Sequence, residues 1–243
     1  MAAAFKTPEW LARVSRHLKD PEINRRLETE PRLRALYERI VGLDTKQIAI
    51  RPIRETRFVV LDTETTGFGV YSNDEIVAIA MLELRGLGHT GRSFGALVNP
   101  GRAIPERSSQ IHGIRDEHVR DAADIDALIF DIVEFIDDAV VVGHHTNFDM
   151  RFLNKTLYRL LGCRLRNPWL DTMLMYLGHS GRMGHYTLEE VAAYCRVEIT
   201  DRHTAYGDAW TTCGIFAALA PRLAADDDAV ARLIQQQRTN ELL

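Results

Sequence analysis

Cysteine is scarce in this chain, and the three present, Cys163, Cys195 and Cys213, include no Cys-x-x-Cys pair. That excludes a disulfide framework, which needs paired cysteines, and a thiolate zinc site, which needs two at ligand spacing. The three read as small core residues. Long apolar runs are missing as well. Nowhere do roughly 18 consecutive apolar residues occur, and the opening MAAAFKTPEWLARVSRHLKD holds no apolar stretch of signal-peptide kind. The expectation is a cytoplasmic protein with no membrane contact. The nine histidines include no His-x-x-x-His pair beside a glutamate, which removes the zinc-hydrolase reading.

A basic surplus is also absent, since the net charge is −4. Nucleic-acid binding usually begins with basic residues neutralising phosphates, so the distribution of charge matters more than the total. Residues 1 to 56 carry 12 Lys and Arg against 8 Asp and Glu, and the remainder 18 against 26. An acidic main portion suits bound cations, which could themselves meet a phosphate.

What is present is an ordinary globular composition, 46% hydrophobic and 26% charged over 243 residues. That length accommodates one large domain or a medium one with an appendage. From Pro8 to Leu43 apolar residues recur at threes and fours, among them Trp10, Leu11, Val14, Leu18, Leu27, Leu33, Leu36, Tyr37, Ile40 and Val41. Pro21 and Pro31 divide them, because proline suits a first helical turn and not an interior. Residues 1–54 thus read as a basic helical appendage, either a cap packed on the main domain or an arm that docks a partner.

The main domain is expected over 55–222, followed by a C-terminal helix and a fraying polar tail over 223–243. Strands are expected from Phe58 to Leu61, Glu75 to Leu84 and Ser93 to Val98, with Gly86, Gly88 and Gly91 forming the turn between the second and third. Further strands are expected at Ala139 to Val142 and at Trp169-Leu170. Helices are expected at Asp124 to Ile136, Phe148 to Leu161, Thr187 to Tyr194, Tyr206 to Leu219 and Asp228 into Arg238. Thr187 and Glu190 fit a capping box. Three strands in sequence, then alternating helix and strand, predict an α/β layer with helices covering a mixed sheet of five strands.

Three segments carry chemistry. In Leu61-Asp62-Thr63-Glu64 two carboxylates lie two apart at a strand end, so both point to one face. Close unpaired carboxylates repel and tend to hold a proton, whereas a divalent cation makes their proximity favourable. Oxygen-only ligands favour Mg2+ or Mn2+ over zinc. Asp149 follows a strand, a glycine and Phe148, in the first turn of a helix, where an acid also interacts well with the helix dipole. His203 lies five residues before Asp208, so a helix can hold the carboxylate while the preceding loop leaves the imidazole free to act as a general base. His144 and His145 read as turn and packing residues.

Taken together, Asp62-x-Glu64, Phe148-Asp149 and His203 with Asp208 resemble the three motifs of the DEDDh branch of the DnaQ-like 3′-to-5′ exonuclease family. Ile111-His112-Gly113-Ile114 and Leu170-Asp171-Thr172 are similar to two further family segments, and the likeness spans roughly residues 57 to 219. The resemblance implies a ribonuclease H-like fold and removal of nucleotides from the 3′ end of single-stranded DNA, in proofreading or repair. It implies two divalent cations, with Asp62, Glu64 and Asp208 holding one. Asp62 would help hold the second, with Asp149 acting there directly or through water. Such a pair activates a water and stabilises the leaving 3′ oxygen. Thr65, through its backbone, and His112 would lie near the terminal nucleotide, and His112 also reads as a buried structural histidine.

The family often reads His-Asn-Ala-x-Phe-Asp in its second motif. Here His145 stands where Asn is common. Two other readings remain: an RNA 3′-to-5′ exonuclease of the ribonuclease T or oligoribonuclease kind, and a non-catalytic module that binds a DNA polymerase or replication protein through the N-terminal helices.

Overall fold

The computed structural model describes residues 20–241, with side chains described up to residue 237. Trp10, Leu11, Val14 and Leu18 of the expected first helix lie outside these residues. The chain enters through three helices, α1 (Pro21–Thr29), α2 (Pro31–Val41) and α3 (Thr45–Ile50). Both prolines sit at first helical positions, and Asp20 caps α1 by accepting from the Glu22 and Ile23 amides.

Strand β1 (Arg57–Thr65) then pairs antiparallel with β2 (Ile76–Arg85), which pairs antiparallel with β3 (Gly88–Leu97). Two short helices, α4 (Glu106–His112) and α5 (Asp116–Val119), precede α6 (Ile125–Ile136). Strand β4 (Val140–Gly143) returns parallel to β1, and α7 (Thr146–Leu161) leads to β5 (Trp169–Asp171), parallel to β4. The chain finishes with α8 (Thr172–Ser180), α9 (Leu188–Cys195), α10 (Ala205–Leu223) and α11 (Val230–Glu241). The sheet order β3-β2-β1-β4-β5 is the expected mixed five-stranded sheet flanked by helices.

Alternation along β1 divides the core. Phe58 and Val60 pack on one face with Ala209, Ile215 and Phe216 of α10 and Met175 of α8. Val59 and Leu61 pack on the other with Leu153 of α7, Ile132 of α6, and Leu27 and Leu36 from α1 and α2. Residues 21–41 therefore contribute to the same core as the sheet. Among the described residues no helix is long and apolar enough to cross a membrane.

Two expectations need correction. The β2–β3 turn is Gly86-Leu87 alone, with Gly86 at φ +56°, and Gly88 and Gly91 lie within β3. The register slips between Leu82 and Leu84, and Thr90 donates its hydroxyl hydrogen to the Glu83 carbonyl there, so Gly91 at φ +85° marks a bulge rather than a turn. The polar C-terminal segment is also no frayed tail through Gln237, which is 2% exposed. Its Oε1 accepts from the Asp171 amide at 2.8 Å and its Nε2 donates to the Trp169 carbonyl at 2.9 Å. The side-chain amide thus does for the open edge of β5 what a further strand would do.

Candidate active site

The alternation that splits the core also sorts the acids. Asp62 and Glu64 continue the Phe58–Val60 face toward α10, and their partners across β2 are Ala80 and Ala78, whose small side chains leave room for carboxylates. Asp208 stands in the first turn of α10. Asp62, Glu64 and Asp208 each bring a carboxylate oxygen within 4.8 Å of the others. Thr204 caps α10 by accepting from the Gly207 amide, and a Cβ on Gly207 would lie 2.3 Å from the Asp201 carbonyl oxygen. Only glycine lets the 200–203 loop pack this closely on the helix that carries Asp208.

Thr63, one residue out of phase, faces α7, and its hydroxyl donates to Asp149 Oδ1 at 2.5 Å. Asp149 is buried and does not line the cleft with the other three acids. Its charge still reaches them, since it raises the pKa of both Asp62 and Glu64. His203 is exposed at φ +64°, on the cleft with Asp208. Thr65 and His112 are buried and line the same cleft of about 410 Å3, together with Phe68, Phe148, Arg107 and Ile111. Helix α4 is held to the end of β1 by Ser108, whose hydroxyl donates to the Thr66 carbonyl at 2.8 Å.

The acids sit in an environment that disfavours their charge. Burial, reinforced by Asp149, Asp208 and Glu64, holds Asp62 well above the usual carboxylate range. Burial and Asp208 push Glu64 up to about 7. Burial does the same for Asp149, up to about 7, against the Thr63 hydrogen bond. Asp208 is raised by burial although Arg202 pulls it down. Asp208 Oδ1 is buried with no hydrogen-bond partner.

An orphaned carboxylate oxygen, an all-oxygen donor set and mutual repulsion are what a hard divalent cation would relieve. The residues fit such a group.

The second motif departs from the family at His145, and the backbone explains how it is accommodated. His145 adopts the left-handed conformation, φ +61°, that asparagine tolerates better than most residues. Its amide donates to Asp171 Oδ1 at 3.2 Å and the Thr146 amide to Asp171 Oδ2 at 3.0 Å, so Asp171 secures the turn into α7. His144 is fixed between the Thr172 hydroxyl and the Tyr186 carbonyl, and burial lowers its pKa to about 3. Both histidines serve the turn. Arg202 escaped the sequence reading: it reaches Glu189 at 2.7 Å and pairs with Asp208. No local pattern announces this pair, because Glu189 comes from another helix, although the charge beside His203 was visible.

The RNase T family, described as Exonuclease, matches residues 59–216. The chain is 37% identical over 181 residues to a DNA polymerase III subunit epsilon-like protein of Rhodobacter capsulatus, covering 73% of this chain and 26% of that protein. It thus spans about a quarter of the length of that relative. It is 33% identical over 166 residues to the DNA polymerase III subunit epsilon of Aquifex aeolicus, covering 68% of this chain and 81% of that one. Among solved structures, E. coli Exonuclease I in complex with a dT13 oligonucleotide superposes with a TM-score of 0.58 at 17% identity, over 70% of this chain and 42% of that one. That likeness shows the ribonuclease H-like fold. With the match running from β1 into α10, and so across every acid of the site, the chain belongs to the RNase T exonuclease family.

Proposed function

We propose that this protein is a metal-dependent 3′-to-5′ exonuclease acting on DNA 3′ ends. Asp62, Glu64 and Asp208 hold one of two divalent cations, Mg2+ or Mn2+, and Asp149 serves the second with Asp62. His203 takes the proton of the attacking water, and Thr65 and His112 flank the terminal nucleotide. The observation that carries the reading is the convergence of three carboxylates within 4.8 Å in an open cleft. When bound, the cations supply Lewis-acid stabilisation of the charge that develops on the phosphodiester.

The chain's own groups do the rest. His203 stands at the rim, where its exposed ring can reach a water and pass the proton to solvent. Phe68, 82% exposed, and Phe148 lie 6.0 Å apart on the cleft wall and offer faces on which bases stack irrespective of sequence. Arg107 brings positive charge to the same wall for the phosphate.

The relatives' names support DNA over RNA and a replication setting in the cytoplasm. In this reading residues 55–222 form the catalytic domain. Residues 1–54 and 223–243 flank it, and the outer surface of 1–54 is open to a polymerase or replication protein.

The test is Mn2+-dependent digestion of matched single strands of DNA and RNA, labelled at either end. Stepwise release of mononucleotides from the 3′ end of DNA is expected, and its loss in Asp62→Asn. Degradation from the 5′ end, internal cleavage, or activity confined to RNA would overturn the assignment.

A further inference from the structure

Arg202 is the cation already inside the acid cluster. Its side chain is 30% exposed and lines the cleft with Asp62, Glu64, Asp208 and His203. One guanidinium nitrogen pairs with Asp208 Oδ2, while Nε holds Glu189 Oε1 at 2.7 Å on the neighbouring helix α9. Asp208 Oδ1 has no partner. Arg202 also favours the charged forms of Asp62 and Glu64, against burial and their mutual repulsion. Four acids crowded at the end of β1 thus have a single internal counter-charge among the cleft-lining residues described.

A divalent cation that coordinates Asp208 therefore meets a guanidinium on the same carboxylate. Two positive charges on one group repel. The planar fork of arginine binds two carboxylates at once, so Arg202 can release Asp208 and keep its place on Glu189. The surrounding backbone couples that movement to the loop. Asp201 and His203, on either side of Arg202, both hold positive φ, +48° and +64°.

We propose that Arg202 is a positioning residue that holds Asp208 in the metal-free protein and yields it to the incoming cation, remaining anchored on Glu189. The proposal rests on the cation-binding reading of the acid cluster.

The experiment is calorimetric titration of Mn2+ alone into wild type, Arg202→Gln and Arg202→Lys, with thermal melts in EDTA and in saturating Mn2+. For Arg202→Gln the Kd for Mn2+ should tighten about fivefold, the upper end for a partly exposed ion pair. Its melting temperature should fall below wild type in EDTA and regain the wild-type value with Mn2+. Arg202→Lys keeps the charge without the fork and should tighten Mn2+ binding about twofold.

A merely structural role would lower both melting temperatures equally and leave the Kd unmoved, and that result overturns the proposal, as does weaker Mn2+ binding. If Arg202→Gln folds only with Mn2+, the proposal is supported. If it folds in neither condition, Arg202→Lys decides, and a Kd equal to or weaker than wild type rejects it. Wild-type protein that binds no Mn2+ would instead defeat the cation-binding reading itself.

Discussion

Strand β1 handles buried acids in opposite ways at its two ends. Near its start Glu83, 6% exposed on β2, is fully satisfied: Arg57 Nε donates to it at 2.6 Å, Arg92 at 2.8 Å and the Thr90 hydroxyl at 3.0 Å. The Arg57 and Thr90 hydrogen bonds and the nearby arginines outweigh burial and lower its pKa. Arg57 also donates to the carbonyls of Phe135 and Ile136 at the end of α6, so the pair joins sheet and helix. At the far end of the same strand, Asp62, Glu64, Asp149 and Asp208 all have raised pKa values and share the one guanidinium of Arg202. An acid that holds a fold together is paired; acids left short of positive charge are arranged for something that arrives later.

The largest effect that would sharpen this contrast comes from Asp62→Asn. Removing one of the repelling charges should leave the metal-free melting temperature unchanged or higher, while turnover falls by at least about a thousandfold, as for the loss of a major electrostatic group of a transition state. Turnover retained together with a lowered melting temperature would make Asp62 another Glu83. The reverse profile is expected at the other end. Glu83→Gln leaves Arg57 buried without its charge partner and should lower the urea-unfolding free energy by about 3 kcal/mol, the lower end for a broken buried pair, with turnover per folded molecule kept. Smallest is Gln237→Leu, remote from both ends. It unpairs the Trp169 carbonyl and Asp171 amide and should reduce stability by about 1 to 2 kcal/mol, without altering Mn2+ affinity.

The acid-rich end was the more legible of the two in the sequence, because strand alternation alone puts Asp62 and Glu64 on one face. The same rule explains what was harder to see. Thr63 lies out of phase, so Asp149 meets the site from the opposite face of the sheet, through a hydroxyl contact that no spacing reveals. Asp208 and His203 were placed by motif order, and the backbone now accounts for them through Gly207 and the left-handed loop.

The five strands follow from their β-branched and apolar runs, whereas α3, α4 and α8 went unread. They are six, seven and nine residues long, too short for a sustained helical period. Gln237 and the Arg202–Glu189 bridge were invisible for a shared reason: each joins residues from separate elements through polar atoms, which leave no periodic trace.

The central claim is that protons stand in for cations at the end of β1. For an acid whose folded pKa is raised, the stabilising protonation is fully present below the unfolded pKa, about 4. It is lost as pH rises through the folded value, which for Glu64 and Asp149 is about 7. Metal-free protein should therefore lose stability across that window, and a cation should displace the protons.

The most direct measurement is Mn2+ titration calorimetry near pH 7 in two buffers of different ionisation heat. Binding with net proton release, reduced in Asp62→Asn and unchanged in Glu83→Gln, is the predicted result. Binding with no proton released, or release lost with Glu83 instead of Asp62, would contradict the account.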